Sequence, residues 1–132
     1  MRPLVILAFA GIFSACTLLD PPSAEAQKAV KSANTDLQAL VETARLGAYA
    51  KPSSFQDAAP LYGSMIARLK SAKPPADETG PEKDLGRVID GCISNVSDLS
   101  ELHQSSGLRA TLEYDPFTLA CAFAESAIEE TF

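Results

Sequence analysis

Apolar residues recur along this chain at helical rather than strand spacing, and they do so in four separate stretches. In the first, from about Ser23 to Ala50, Val30, Ala33, Leu37, Leu40, Val41, Ala44 and Ala48 fall on one side. Lys28, Lys31, Thr35, Glu42 and Thr43 fall opposite, the pattern of a helix with one buried face. Ser23 is placed to cap its start, with Glu25 in the first turn, where the helix dipole favours an acid. Lys51-Pro52 marks its end, because a residue before proline avoids the α region. The second stretch, about Asp57 to Ala72, puts Leu61, Met65 and Leu69 on its apolar side, flanked by Tyr62 and Ile66. Pro60 fits there only in the first turn. Lys73-Pro74-Pro75-Ala76-Asp77-Glu78 then breaks the pattern as an extended polar linker.

The third stretch has the clearest signal. Thr79-Gly80-Pro81-Glu82 matches a capping box, in which Thr and Glu satisfy orphan amides reciprocally. Leu85, Val88, Ile89, Cys92, Val96 and Leu99 share one face, and Lys83, Arg87, Asp90, Ser94, Asp98 and Glu101 share the other. Gly107 offers a left-handed stop after Ser105-Ser106. The fourth stretch opens at Asp115-Pro116, with Asp as N-cap and Pro in the first helical position, and runs towards Glu130. Its main face is Phe117, Ala120, Cys121, Ala124, Ala127 and Ile128. No stretch alternates as a strand would. The expectation is all-α, a four-helix up-down-up-down bundle spanning 23–132, held by burial of these faces because each helix alone is marginal in water.

The first 22 residues read differently. Arg2 precedes sixteen uncharged, mostly apolar residues, Leu4 to Leu19, ended by Asp20-Pro21-Pro22. That is a charged start and an apolar middle too short to span a bilayer comfortably, as in a secretory signal, followed by a short tether. Two processing sites compete. Ala24-Glu25-Ala26 is a small-x-small site that leaves Gln27 first. Phe13-Ser14-Ala15-Cys16 resembles the lipobox of bacterial lipoproteins, although Phe13 departs from the usual Leu. That resemblance implies lipidation of Cys16 and, with Thr17 following, the periplasmic side of the outer membrane. Membrane contact is then expected only through the anchor; the other cut gives a soluble periplasmic or secreted protein.

Export changes the meaning of the cysteines. With Cys16 removed or acylated, Cys92 and Cys121 remain in the folded part, and two thiols in an oxidising compartment most simply pair. Neither Cys-x-x-Cys nor a Cys/His ligand set surrounds them, so thiol oxidoreductase and metal readings have no motif. Charge is uneven: residues 27–83 carry 8 basic and 6 acidic groups, whereas 84–132 carry 2 basic and 9 acidic groups. The second half does not suit nucleic acid, which needs a basic patch. It would attract a basic partner, although a solvated, soluble face explains the same charge.

Candidate chemistry is sparse. His103 is the single histidine and falls near the middle of the third helix's apolar face, which suits either a packed helix-end histidine or, with Met65, a haem ligand. The serines sit at caps and in linkers without a Gly-x-Ser-x-Gly turn. Glu125 and Glu129 stand one turn apart but read as solvated helix residues. No catalytic residue, metal site or cofactor is therefore expected. Leu119 and Phe123 are the odd pair, four apart on the fourth helix and opposite its core face, with Ser126 and Glu130 on the same side.

Two accounts of that pair compete: cover by the preceding segment, or a partner-binding ridge with Glu130 at its rim. Geometry favours cover. If the third helix ends near Ser105, Cys92 lies ~20 Å back from that end, while Cys121 lies ~9 Å into the fourth helix. A bridge between antiparallel helices then makes 106–114 climb about 10 Å along the bundle. The segment is expected to be ordered, with Leu108 and Leu112 inward and Tyr114 near the helix start, covering part of Leu119 and Phe123. The functional expectation is an exported, non-enzymatic interaction module, inhibitor or immunity-like or an assembly accessory, with a protein partner. The alternative is a small-ligand or haem-binding bundle.

Overall fold

In a computed structural model of the protein, residues 21–75 and 80–131 are described. They form four α-helices and, among the described residues, no strand: α1 (Pro21–Arg45), α2 (Phe55–Ala72), α3 (Pro81–Ser106) and α4 (Asp115–Thr131). A single 3-10 turn, Pro52–Ser54, leads into α2. Each helix packs on its neighbour in chain order, and α1 closes the set against α4.

The core is the set of faces that helical spacing picks out. Val30, Leu37 and Leu40 from α1, Met65 and Leu69 from α2, Ile89, Val96 and Leu99 from α3, and Ile128 from α4 are all buried. Each such side chain contributes about 1.5–3 kcal/mol when removed from water, which helices of this length need to persist. Polar ties dress the seams. Arg68 of α2 reaches Ser32 and Asp36 of α1. Asn34 of α1 donates to Glu125 of α4 at 3.1 Å, and Lys73, just after α2, meets Asp90 of α3 at 2.7 Å.

Helix ends depart from the spacing pattern in four places. First, α1 stops at Arg45 rather than Ala50. Gly47 takes φ +90° and its N–H closes on the Ala44 carbonyl at 2.9 Å, so a left-handed glycine turns the chain before Pro52 can. Ala48 is consequently exposed, not a core residue. Second, Ser23 lies inside α1 instead of capping it. Third, the 3-10 turn starts α2 two residues early, which places Pro60 inside the helix, past the first turn. Pro60 is exposed there, and the buried stripe centres on Tyr62, Met65 and Leu69 with Leu61 half-buried. Fourth, the N-cap of α3 is Gly80 at φ +70°, whose carbonyl receives the Lys83 and Asp84 amides, while Thr79 lies outside the described residues.

The α3 stop agrees with expectation and shows why glycine is needed. Gly107 has φ +78°, its N–H bonds the His103 carbonyl, and a Cβ there would run into the Ala50 carbonyl. That close approach draws the α1–α2 and α3–α4 connections together. The Leu108 amide donates to the Tyr49 carbonyl at 2.7 Å, with the Leu108 side chain fully buried.

Candidate functional site: the His103 cluster and the outer face of α4

Two places gather side chains that the core alone does not explain. The first is the end of the bundle where the two connections meet. His103, in the last turn of α3, is completely buried. Its Nε2 stands 2.9 Å from Ser54 Oγ of the 3-10 turn, and its Nδ1 stands 2.9 Å from the Tyr62 hydroxyl of α2. The Tyr49 and Phe55 rings pack against the imidazole at centroid distances of 4.9 and 5.6 Å.

Counting hydrogens assigns the protons. Ser54 has one, and its 2.6 Å contact to the Lys51 carbonyl, which can only accept, consumes it. The ring must then donate from Nε2 to Ser54 and accept at Nδ1 from Tyr62. In this arrangement every polar atom of the trio is satisfied, and the imidazole is neutral. Burial pushes the His103 pKa below the ordinary histidine value. Burial, with smaller contributions from Tyr49 and Tyr114, holds the Tyr62 hydroxyl well above the ordinary tyrosine value. A nucleophilic serine would instead hand its proton to the ring. The trio therefore acts as a clasp joining α2, the 3-10 turn and α3.

The second place is α4. Its inner face is fastened to α3 by Cys92 and Cys121, both fully buried, with Cα atoms 4.4 Å apart and sulfurs at the bonding distance of 2.02 Å. Ala124 and Ile128 continue that face. On the opposite face Leu119 and Phe123 retain 66% and 64% of their full exposure. The expectation that 106–114 covers them is wrong. The segment is ordered, with Leu108 and Tyr114 buried, but its inward residues go to the clasped end and not onto α4. Tyr114 is held by its hydroxyl on the Arg109 carbonyl at 2.7 Å and by the Arg45 guanidinium 5.7 Å over its ring. The segment meets the α1–α2 connection and the last residue of α1 and leaves the ridge bare.

Charge surrounds the ridge. Helix α4 carries Asp115, Glu125, Glu129 and Glu130 and neither Lys nor Arg. Asp115, Glu129 and Glu130 are exposed and form no ion pair among the described residues; Glu125 is tied to Asn34. Helical angle places Glu130 on the same side as Leu119 and Phe123. Cys16 lies outside the described residues.

Two open clefts lie elsewhere. One of about 380 Å³ is lined by Leu102, Ser106, Gly107, Arg109 and Leu112, the other of about 390 Å³ by Lys70, Lys73, Pro74, Asp90 and Ile93. Neither is lined by His103, Leu119 or Phe123. Among the described residues no group of His, Cys, Asp and Glu could hold a metal ion, and no helix is long and apolar enough to cross a membrane. Comparison with family models, curated proteins and solved structures finds no match.

The sequence singles out Leu119, Phe123 and Glu130, which lie exposed on α4, and the two cysteines, which lie at bonding distance, but it carries no motif that marks Ser54 or Tyr49. Spacing puts Tyr62 at the flank of α2's apolar side, and its hydroxyl has no partner within its own helix that would announce His103. A cluster of aromatic residues at 49, 55 and 62 near a helix end was the available hint.

Proposed function

We propose that this chain is an exported, non-enzymatic envelope protein that works as a protein–protein interaction module, inhibitor or immunity-like or an assembly accessory, through the outer face of α4. The observation that carries this reading is the exposure of Leu119 and Phe123 on a helix whose other side is fully committed to the core. Large apolar side chains left adjacent and bare are what a partner's anchor pocket takes. The four helices follow an up-down-up-down order in this reading, supported by short connections and by contacts such as Tyr62 with His103 and Cys92 with Cys121.

The N-terminal part of the proposal rests on residues 1–22 of the sequence: a signal segment, with Cys16 lipidated and the bundle tethered on the periplasmic side of the outer membrane. Intact mass of the exported protein tests it; a chain beginning at unmodified Gln27 overturns the anchor. The haem-binding alternative has less support, because iron at His103 would have to displace Ser54 or Tyr62 from a ring whose nitrogens are both engaged.

A photo-crosslinking residue at position 123, compared with one at exposed Gln104 on α3, tests the interaction surface in an exporting Gram-negative cell. A discrete adduct from 123 and none from 104 is expected. Equal adduct patterns, or none from 123, would overturn the reading.

A further inference from the structure

We propose that the partner segment which docks on α4 is a cationic amphipathic helix, lying along Leu119 and Phe123 with basic residues against the acids at the ridge's two ends. This inference rests on reading the outer face of α4 as an interaction surface, and it adds the chemistry of the partner.

Shape gives the first argument. Leu119 and Phe123 are one turn apart and form a short ridge along the helix axis. A ridge with i, i+4 spacing seats in the groove between equivalent rows of a second helix. Strand addition is unsuited, because the backbone N–H and C=O groups of α4 are spent within the helix. Charge gives the second. Asp115 sits one turn before Leu119, and Glu129 and Glu130 follow Phe123, all exposed and without an ion pair among the described residues. The neighbouring α3 adds exposed Asp98 and Glu101, likewise unpaired among the described residues. Across 84–132 only Arg87 and Arg109 oppose nine acids, and Arg87 already lies 4.0 Å from Asp84.

The same charge argues against two other occupants. A second copy docked by its own α4 would bring these acids face to face across a two-fold axis. An anionic lipid surface would repel them. A cationic helix gains from both the ridge and its rim.

The test uses the full mature chain with its disulfide intact, and two synthetic amphipathic helices of equal length, one of Leu and Lys, the other of Leu and Glu. Fluorescence anisotropy should show binding of the Leu/Lys helix, weakened by salt, and none of the Leu/Glu helix. Leu119→Gln with Phe123→Gln keeps the charge and should weaken binding roughly tenfold or more. Asp115→Asn with Glu129→Gln and Glu130→Gln should weaken it and flatten the salt dependence. Far-UV circular dichroism confirms that both sets remain folded.

Binding of the Leu/Lys helix that is indifferent to Leu119→Gln and Phe123→Gln would overturn the proposal, as would equal binding of the Leu/Glu helix. Self-association abolished by the same pair would assign the face to a second copy instead, and binding to anionic vesicles would assign it to a membrane. If position 123 crosslinks in the cell while the Leu/Lys helix fails to bind, the partner chemistry is wrong and the surface stands. If neither occurs, the interaction reading itself falls.

Discussion

The clasped end of the bundle and the outer face of α4 are both rich in large apolar side chains, yet they have opposite fates. At the clasped end, Tyr49, Phe55, Tyr62 and His103 pack ring against ring, and the polar tips of Tyr62 and His103 find partners in each other and in Ser54. On α4, Leu119 and Phe123 have no covering element among the described residues. The difference teaches that the α3–α4 connection had one place to spend its apolar residues. Gly107 bends the chain towards the Ala50 carbonyl, and Leu108 and Tyr114 are drawn in on that side. Aromatic and polar contacts converge at the junction of the connections, whereas α4 is fixed by its inner face and by seam contacts to α1 and leaves its outer face bare.

That contrast can be broken most severely at the link behind the ridge. Cys92→Ser with Cys121→Ser opens a loop closed across a separation of 29 residues, which should cost about 3–4 kcal/mol in urea unfolding. A loss below about 1 kcal/mol would show that α3–α4 packing needs no covalent help.

His103→Ala comes next. It leaves a cavity among Tyr49, Phe55 and Tyr62 and orphans the Tyr62 hydroxyl, so a loss of about 2–3 kcal/mol is expected. Tyr62→Phe removes only the donor to Nδ1 and should cost about half as much. If the two variants lose the same amount, the ring contributes nothing beyond its hydrogen bond.

Acid should loosen the clasp in a defined direction. The folded protein holds His103 neutral with a lowered pKa, whereas in the unfolded chain it titrates near the ordinary value of about 6.5. Below about pH 6.5 the unfolded state binds more protons, so stability contributed by neutral His103 is complete above that pH and declines as pH falls towards the lowered folded value. The slope is at most about 1.4 kcal/mol per pH unit. In the fold the ring meets Tyr49 from the α1–α2 connection, Ser54 from the 3-10 turn, and Phe55 and Tyr62 from α2, and it has no ion-pair partner among the described residues. Urea unfolding at pH 7.5 and 5.5 should therefore show a larger drop for the native chain than for His103→Gln. Equal drops would assign the acid sensitivity to carboxylates.

The smallest effect is expected on the ridge. Leu119→Gln and Phe123→Gln alter side chains that are about two-thirds exposed, so stability should change by no more than about 0.5 kcal/mol. A loss above ~1.5 kcal/mol would mean that these residues pack in solution, and would remove the surface from consideration.

Helical periodicity decides which residues enter the core of each helix. Val30 to Ala44, Leu85 to Leu99 and Cys121 to Ile128 fall into the core as their spacing requires, because a helix fixes the angle of each side chain about its own axis. Gly107 marks the end of α3 correctly, since glycine alone tolerates the left-handed stop. Asp115-Pro116 marks the start of α4 to within one residue: Asp115 is the first helical residue and not the cap, and the Tyr114 carbonyl takes the Phe117 amide. Gly47 is an equally local signal, and it ends α1 five residues before Pro52 would. The partners of His103 were not legible, because an angle on α3 does not say which hydroxyl from 41 or 49 residues away will meet the ring. Helical angle put Leu119 and Phe123 opposite the core face of α4, but it does not say whether the preceding segment covers them. The sequence by itself determined the four helices of the described residues, which face each one buries and that two cysteines share the core side. Tertiary structure alone decided where the 107–114 segment lies, hence which apolar residues are clasped and which remain bare. A connection can satisfy the same bridge along several paths, and the close approach of Gly107 to Ala50 selects one of them.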